Sequence, residues 1–265
     1  MKIGMIGIGN MGSAVASALA AAGYELVLSN HNLDKARALA KRLSGAEIAS
    51  NQAIIETCQV IFLGLKPSQI GPFLTDQSAS VAKKPQALWI SMAAGLGLSQ
   101  LEAQLPAEAG LIRMMPNTPV AIGQGMTTYA LNASARSLDD QTLFEALMVK
   151  SGKLLKLPES LLDAATGIAG CGPAFVYQFI EALADAGVQN GLQRADSLTL
   201  AAQTLLGAAQ LVLDSGQHPA VLRDQVTSPG GSTIAGVVSL EENGFRHATI
   251  SAVNRAIRRT KELGD

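Results

Sequence analysis

Hydrophobic positions along the chain follow two regimes that meet at Pro158. Before it, short apolar runs of strand type recur near 2–7 (KIGMIG), 25–29 (ELVLS), 47–50 (EIAS), 60–65 (VIFLGL), 87–92 (ALWISM), 111–115 (LIRMM), 126–131 (MTTYAL) and 153–157 (KLLKL). Segments with helical spacing intervene near 12–22, 33–43, 69–81, 98–104 and 139–150. Apolar strands alternating with helices predict an α/β fold, a doubly wound and mostly parallel sheet of Rossmann type. After Pro158 no strand pattern follows and the rest reads as helical. Phe175, Phe179 and Leu183 recur at i+4, and Leu198, Ala202, Leu205, Ala209 and Val212 form an apolar seam. The pattern predicts a sheet domain over residues 1–157 and a helical domain over 158–265. A helical domain of that size has little interior of its own, so its Ala- and Leu-rich helices predict burial against a second subunit.

Composition narrows this picture without redirecting it. The chain has 265 residues, a length that fits two domains, and 48% are hydrophobic, enough for a sizeable core. A net charge of −1 gives no electrostatic reason to expect nucleic acid or an anionic membrane as partner. Arg255, Arg258, Arg259 and Lys261 read as the solvated face of a last helix, favoured by its dipole. Cys58 and Cys171 have neither metal nor disulfide spacing, which points to a reducing, cytoplasmic setting. With His31, His218 and His247 the only histidines, no metal site is expected. Lys2 followed by apolar sequence imitates a signal peptide, but four glycines from Gly4 to Gly12 would make a poor apolar helix. No stretch of about 18 uninterrupted apolar residues predicts a membrane-spanning helix.

The first candidate chemistry lies in Gly7-Ile8-Gly9-Asn10-Met11-Gly12, which follows the first strand and opens a helix. In that setting GxGxxG is a dinucleotide-binding loop: Gly7 for the turn, Gly9 for approach of the pyrophosphate, Gly12 for close helix packing. The helix N-terminus adds free N–H groups for phosphate. An acid that would bind an NAD ribose is missing from the end of the second strand, which reads Ser29-Asn30-His31-Asn32. Asp34 comes first among the acids and is expected to cap the next helix. Neutral hydrogen-bonding groups accept a 2′-phosphate without repelling it, which favours NADPH. Asn51, Lys66-Pro67 and Ala94-Gly95 follow the next three strands and face the same edge; Asn51 serves equally well as a helix cap.

Missing groups narrow the reaction further. The chain has no GxSxG elbow and no lysine between Lys156 and Lys261, so nothing in the helical half polarises an alcohol as a lysine would. Cys171, between Gly170 and Gly172, reads as a small packed residue. Reduction of an imine tolerates these absences, because a protonated C=N already accepts hydride and mainly needs orientation. A second glycine loop, Thr227-Ser-Pro-Gly-Gly-Ser-Thr233, bears hydroxyls and opens an apolar run, as a site for an anionic substrate would. Ser232 or Thr233 could equally cap the helix that follows.

Together these stretches resemble the pyrroline-5-carboxylate reductase family over essentially the whole chain. The resemblance rests on DQVTSPGGSTIAGVVSLEENGFR at 224–246, with GIGNMG at 7–12, LKP at 65–67, SMAAG at 91–95, RMMPNTP at 113–119 and TGIAGCGPAF at 166–175. It implies a Rossmann domain followed by a helical dimerisation domain, a homodimer assembled in some members into a decamer of five dimers. It also implies NADPH-dependent reduction of L-1-pyrroline-5-carboxylate to L-proline, the last step of proline biosynthesis, with NADH accepted by some members. By position, the cofactor would meet Gly7 to Gly12, Ser29, Asn30, His31, Asn51, Leu65, Lys66, Pro67 and Ala94. Substrate would meet Ser228, Gly230, Gly231, Ser232 and Thr233, with Glu159 and Gln225 near the site across a dimer interface. Backbone N–H groups around Gly230, Gly231 and Ser232 would hold the substrate carboxylate, and Thr233 would act catalytically at the ring nitrogen.

Six positions in four places depart from the common family pattern. Asn30-His31 stands where many members carry Arg or Ser, and Gly64-Leu65 replaces Ala-Val; Ser232 replaces Thr or Ala, and Gln225 replaces Asn. Two rival readings share the architecture: a reductase of a six-membered cyclic imine, differing by one methylene worth only about 1–3 kcal/mol in a pocket, and a non-catalytic NADPH-binding regulator.

Overall fold

The computed structural model describes residues 1–43, 45–133 and 137–262. It divides into two compact units. The first comprises Met1–Cys171 with the C-terminal stretch that begins at Arg255; the second is Gly172–Asn254.

In the first unit the chain alternates β1 (Lys2–Ile6), α1 (Asn10–Ala21), β2 (Glu25–Ser29), α2 (Leu33–Arg42), β3 (Glu47–Ile48), α3 (Asn51–Thr57), β4 (Val60–Leu63), α4 (Pro67–Asp76) and α5 (Ser78–Val81). There follow β5 (Leu88–Ser91), α6 (Leu98–Glu102), β6 (Gly110–Met115), β7 (Gly125–Leu131), α7 (Ser137–Leu147), β8 (Gly152–Lys156) and α8 (Leu162–Ala165). The sheet runs β3-β2-β1-β4-β5-β6-β7-β8, parallel throughout except for the β6–β7 pair. Each strand expected from the sequence is present. The expected helix over 69–81 is two helices, α4 and α5, that meet at Gln77. Helix α3 has no counterpart in the periodicity: it is short, and its buried residues Ile54 and Ile55 are adjacent rather than spaced along a face.

Period-two alternation sends the strand side chains to two apolar layers. Ile3 and Met5 join Leu19, Leu28, Phe62 and Phe144 on one face, while Ile6 joins Ile54, Ile61, Leu63 and Trp89 on the other. Gly4 shares the second face, where a Cβ would overlap Ile54 and press to 3.3 Å from Cys58 Sγ. Its missing side chain lets α3 settle on β1. Burial there pushes the Cys58 thiol above its ordinary pKa, which keeps it protonated and inert.

Residues 159–171, assigned from the sequence to the helical domain, pack with the sheet. Arg113 on β6 bonds Asp163 at 2.7 Å, and Asn117 Nδ2 donates to Ala169 O at 2.9 Å. Thr166–Gly170 forms a π-helical turn, closed by Cys171 N–H to Thr166 O at 3.0 Å. Cys171 itself is half-buried.

The second unit is helical: α9 (Gly172–Gln189), α10 (Arg194–Ser215), α11 (Pro219–Gln225), α12 (Ser232–Glu242) and the first part of α13 (Phe245–Glu262). Within the single chain the expected α10 seam is covered only in part. Ser197 and Ala201 are buried and Leu205 and Val212 half-buried, whereas Leu198, Ala202 and Ala209 are exposed. The reason is apolar sequence around most of α10, so periodicity could not say which stripe meets α9. Gly187 makes the approach possible, since a Cβ there would stand 2.6 Å from Ser197 Oγ. Val176, Tyr177, Leu206, Leu211 and Leu213 remain exposed on α9 and α10.

Candidate functional site

Strand order reverses between β1 and β4, and ligands of open α/β sheets bind beyond the carboxyl ends of strands at such a point. The loop after β1 is shaped for that place. Gly7 has φ +91°, donates its N–H to Ser29 O at 2.9 Å, and lies so close to β4's end that a Cβ would be 2.7 Å from Gly64 O. Gly12 is buried, and a Cβ on it would overlap Gly7 O. Gly9 differs: a Cβ there would meet nothing within 4 Å. Packing explains Gly7 and Gly12, whereas Gly9, the N-cap of α1, leaves the head of the helix open. Helix α1 makes its first bond from Ser13 N–H to Gly9 O at 2.9 Å, so the N–H groups of Asn10, Met11 and Gly12 head the helix. Ile8 N–H is engaged by Asn30 Oδ1 at 3.2 Å.

The corner beyond β2 is neutral and well bonded. Ser29 Oγ donates to Asn51 Oδ1 at 2.6 Å, and Asn30 Nδ2 donates to Asn32 O at 3.1 Å. Asn32, not Asp34, caps α2: its Oδ1 accepts from Asp34 N–H and Lys35 N–H, each at 3.1 Å. Asn32 precedes the helix in extended backbone and so faces the first-turn donors, whereas Asp34 already sits inside the turn, paired with Arg37 at 3.4 Å in solvent. Nor does Asn51 cap α3. Ser50 does, accepting from Ala53 N–H at 3.1 Å, and leaves the Asn51 side chain to Ser29. Past β4, Lys66 precedes α4, whose first residue is Pro67, and its N–H donates to Gln69 Oε1 at 3.0 Å.

These ends enclose a groove of about 1010 Å³. It gathers Gly7, Ile8, Gly9, Ser29, Asn30, His31, Asn51, Leu65 and Lys66 from the expected cofactor residues, and adds Lys35, Gly64 and Gln69. Asn10 lines an adjoining cleft that shares Ile8, Gly9 and Lys35. Met11, Gly12, Pro67 and Ala94 line neither. Lys35, whose N–H the Asn32 cap engages, brings a cation to the groove. Gly64, one of the departures from the family pattern, is needed for this chain's own packing, since a Cβ there would overlap Gly7 O.

In the second unit, Ser228–Gly231 form a turn closed by Gly231 N–H to Ser228 O at 3.0 Å. Pro229 takes its first corner and Gly230, at φ +70°, its second, the arrangement of a type II turn. Gly231 N–H is therefore engaged, which corrects its expected place among the carboxylate donors. The N–H groups of Ser232, Thr233 and Ile234 precede the first α12 bond, Ala235 N–H to Gly231 O at 3.4 Å. Gly231 holds the N-cap position, so neither Ser232 nor Thr233 caps the helix. Both are exposed. Gln225 ends α11, and its Nε2 donates to Gln217 Oε1 at 3.2 Å.

Glu159 is engaged inside the first unit. Its Oε1 accepts from Leu98 N–H at 2.6 Å and from Arg113 Nη1 at 3.3 Å. Arg113 was not among the expected site residues, although a lone charge in the apolar run LIRMM is a visible sign of a buried ion pair.

Comparison with known proteins agrees with this layout. Residues 159–263 match the family model for pyrroline-5-carboxylate reductase dimerisation, and residues 2–95 match that for NADP oxidoreductase, coenzyme F420-dependent. A pyrroline-5-carboxylate reductase of Synechocystis sp. is 40% identical, the alignment covering 100% of this chain and 98% of the relative. One from Arabidopsis thaliana is 36% identical over 99% of this chain and 95% of its own. Among solved structures, Plasmodium falciparum pyrroline carboxylate reductase with NADP bound is similar at a TM-score of 0.87 and 34% identity, covering 100% of this chain and 98% of that one. With both glycine loops inside alignments that run end to end, the chain belongs to the pyrroline-5-carboxylate reductase family.

Proposed function

We propose that the protein reduces L-1-pyrroline-5-carboxylate to L-proline with NADPH, and with NADH less effectively. The observation that carries this reading is a pair of glycine-bearing helix N-termini, one in each unit, each with first-turn N–H groups not used by its own helix. The first fits a dinucleotide: Gly9 leaves room for a pyrophosphate, and Asn10 and Met11 supply donors. The Asn51 N–H₂ group, held by Ser29, and Lys35 offer a neutral donor and one cation where a 2′-phosphate would lie. In functional terms we assign residues 1–157 to NADPH binding and 158–265 to dimerisation and substrate binding.

The reduced nicotinamide, when bound, supplies the hydride that the imine carbon accepts. The protein's own task is to hold the imine in place. The N–H groups of Gly230, Ser232 and Thr233 take the substrate carboxylate, with the turn fixed by Pro229 and the Gly231–Ser228 bond. Thr233 Oγ1 reaches the ring nitrogen and directs its proton; a threonine is too weak an acid for this to demand more than orientation. Dimers form through the exposed apolar residues of α9 and α10, five dimers make a decamer, and the enzyme works in the cytoplasm. No helix among the described residues is long and apolar enough to cross a membrane.

One assay tests the reading: NADPH oxidation with pyrroline-5-carboxylate, with its six-membered homologue, and with no substrate. Turnover fastest on the five-membered ring is expected. Faster turnover on the larger ring would reassign the substrate, and NADPH binding without turnover on either would mean a regulator.

A further inference from the structure

Arg113 occupies a place that strands reserve for apolar side chains. It is 4% exposed in the middle of β6, where every residue is buried. An ion there persists only if its partners are fixed. Nη2 donates to Asp163 Oδ1 at 2.7 Å and Nη1 to Glu159 Oε1 at 3.3 Å. The same Glu159 oxygen accepts Leu98 N–H at 2.6 Å, the first N–H of α6. The turn before Leu98 carries Ala94, Gly95 at φ +79°, and Gly97, whose N–H donates to Gln100 Oε1 at 2.9 Å. This turn after β5 is therefore tied at its end by two oxygens, and one of them is clamped by a buried arginine. Nothing in the fold of β5 or α6 alone requires so elaborate a fastening for a five-residue helix.

We propose that Arg113 and Glu159 are positioning residues that fix the Ala94–Gly97 turn as the platform for the nicotinamide ring. The proposal rests on the cofactor reading given above, and it replaces direct substrate contact as the role of Glu159. The chain of action runs from Asp163 and Arg113, which hold the Glu159 carboxylate, to Leu98 N–H and so to the turn. The adenosine half of the cofactor lies at Ser29 and Asn51, outside this chain of bonds, so the two halves respond differently when it is cut.

The test uses the full chain, with calorimetric dissociation constants for NADPH and for 2′,5′-ADP, which carries only the adenosine half. Wild type is expected to bind both, NADPH more tightly. Glu159→Ala should weaken NADPH about tenfold and leave 2′,5′-ADP within about twofold. Glu159→Gln keeps an oxygen for Leu98 N–H and should fall between. In turnover, kcat should drop more than KM for the imine rises. Equal losses for both ligands, or no loss for either, would overturn the positioning role. If Glu159→Ala does not fold, Glu159→Gln decides alone: a loss confined to NADPH supports the proposal and an unchanged ratio overturns it. Wild type that binds neither ligand would instead defeat the cofactor reading, and the proposal with it.

Discussion

Ser29 Oγ, at the end of β2, donates to Asn51 Oδ1, at the start of α3, across 2.6 Å. The bond ties two successive strand ends and occupies the acceptor side of Asn51. What Asn51 has left for a ligand is its N–H₂ group, a donor. A corner with donors and no carboxylate suits a 2′-phosphate, so replacing Asn51 by Asp reverses its sign. Asn51→Asp keeps an acceptor for Ser29 and should cost NADPH about tenfold in affinity, ~1.4 kcal/mol, while NADH changes by less than about threefold. Calorimetric titration with each cofactor checks this; equal losses would show that Asn51 does not face the 2′ position.

Gly7 and Gly9 stand two residues apart but are glycine for different reasons. Gly7→Ala places a side chain at φ +91° and 2.7 Å from Gly64 O, so it should lower unfolding free energy by about 1–3 kcal/mol. Gly9→Ala meets open space and should leave the denaturation midpoint unchanged, while NADPH affinity falls at least about tenfold. Urea denaturation and cofactor titration of the two variants separate the effects. A destabilised Gly9→Ala with normal affinity would mean that this loop does not receive the pyrophosphate.

The sheet was legible because its strands are apolar on both faces and separated by helical spacing, a pattern that survives without knowledge of neighbours. The glycine loop was legible because its spacing encodes a local turn. What escaped depends on partners distant in sequence. Arg113 finds Glu159 and Asp163 more than forty residues away. Leu198 and Ala201 are equally apolar, and only the packing of α9 decides which turns inward. At the loop of 228–233 the sequence supplied the donors, but not that Gly231 would use its own N–H to close the turn.

Tyr129 gives the sheet a pH-dependent bond. Its hydroxyl donates to Glu145 on α7, and Gln141 adds a second donor at 2.8 Å. These bonds, the tyrosine's first, hold the Glu145 carboxyl below its ordinary value near 4.5. Burial, then Glu145, pushes the Tyr129 phenol above its ordinary value near 10. A depressed carboxyl contributes stability that is complete above its ordinary pKa and lost as pH falls through the folded value; a raised phenol contributes below its ordinary pKa and is lost as pH rises through the folded one. Tyr129→Phe should therefore cost about 1 kcal/mol near pH 7 and soften the loss of stability below about pH 4.5. Denaturant melts at both pH values measure it, and an acid limb identical to wild type would refute the coupling.

The exposed apolar residues of α10 predict the assembly state. Leu206 and Leu213 lie two helical turns apart, both more than half exposed in the single chain. A Leu206→Asp/Leu213→Asp double variant should shift the mass measured by light scattering from oligomer toward monomer, with the far-ultraviolet helix signal retained. A monomeric wild type would contradict the proposed dimer.

Hydride transfer to the carbon of a cyclic imine leaves an isotopic label that can be followed into the product. Pyrroline-5-carboxylate is incubated with the protein and NADPH deuterated at nicotinamide C4, and the product is read by NMR. L-Proline with one deuterium at C5, on one face of the ring, is expected from one of the two C4 epimers of the cofactor. Cofactor oxidised without labelled proline, or no proline at all, would contradict it.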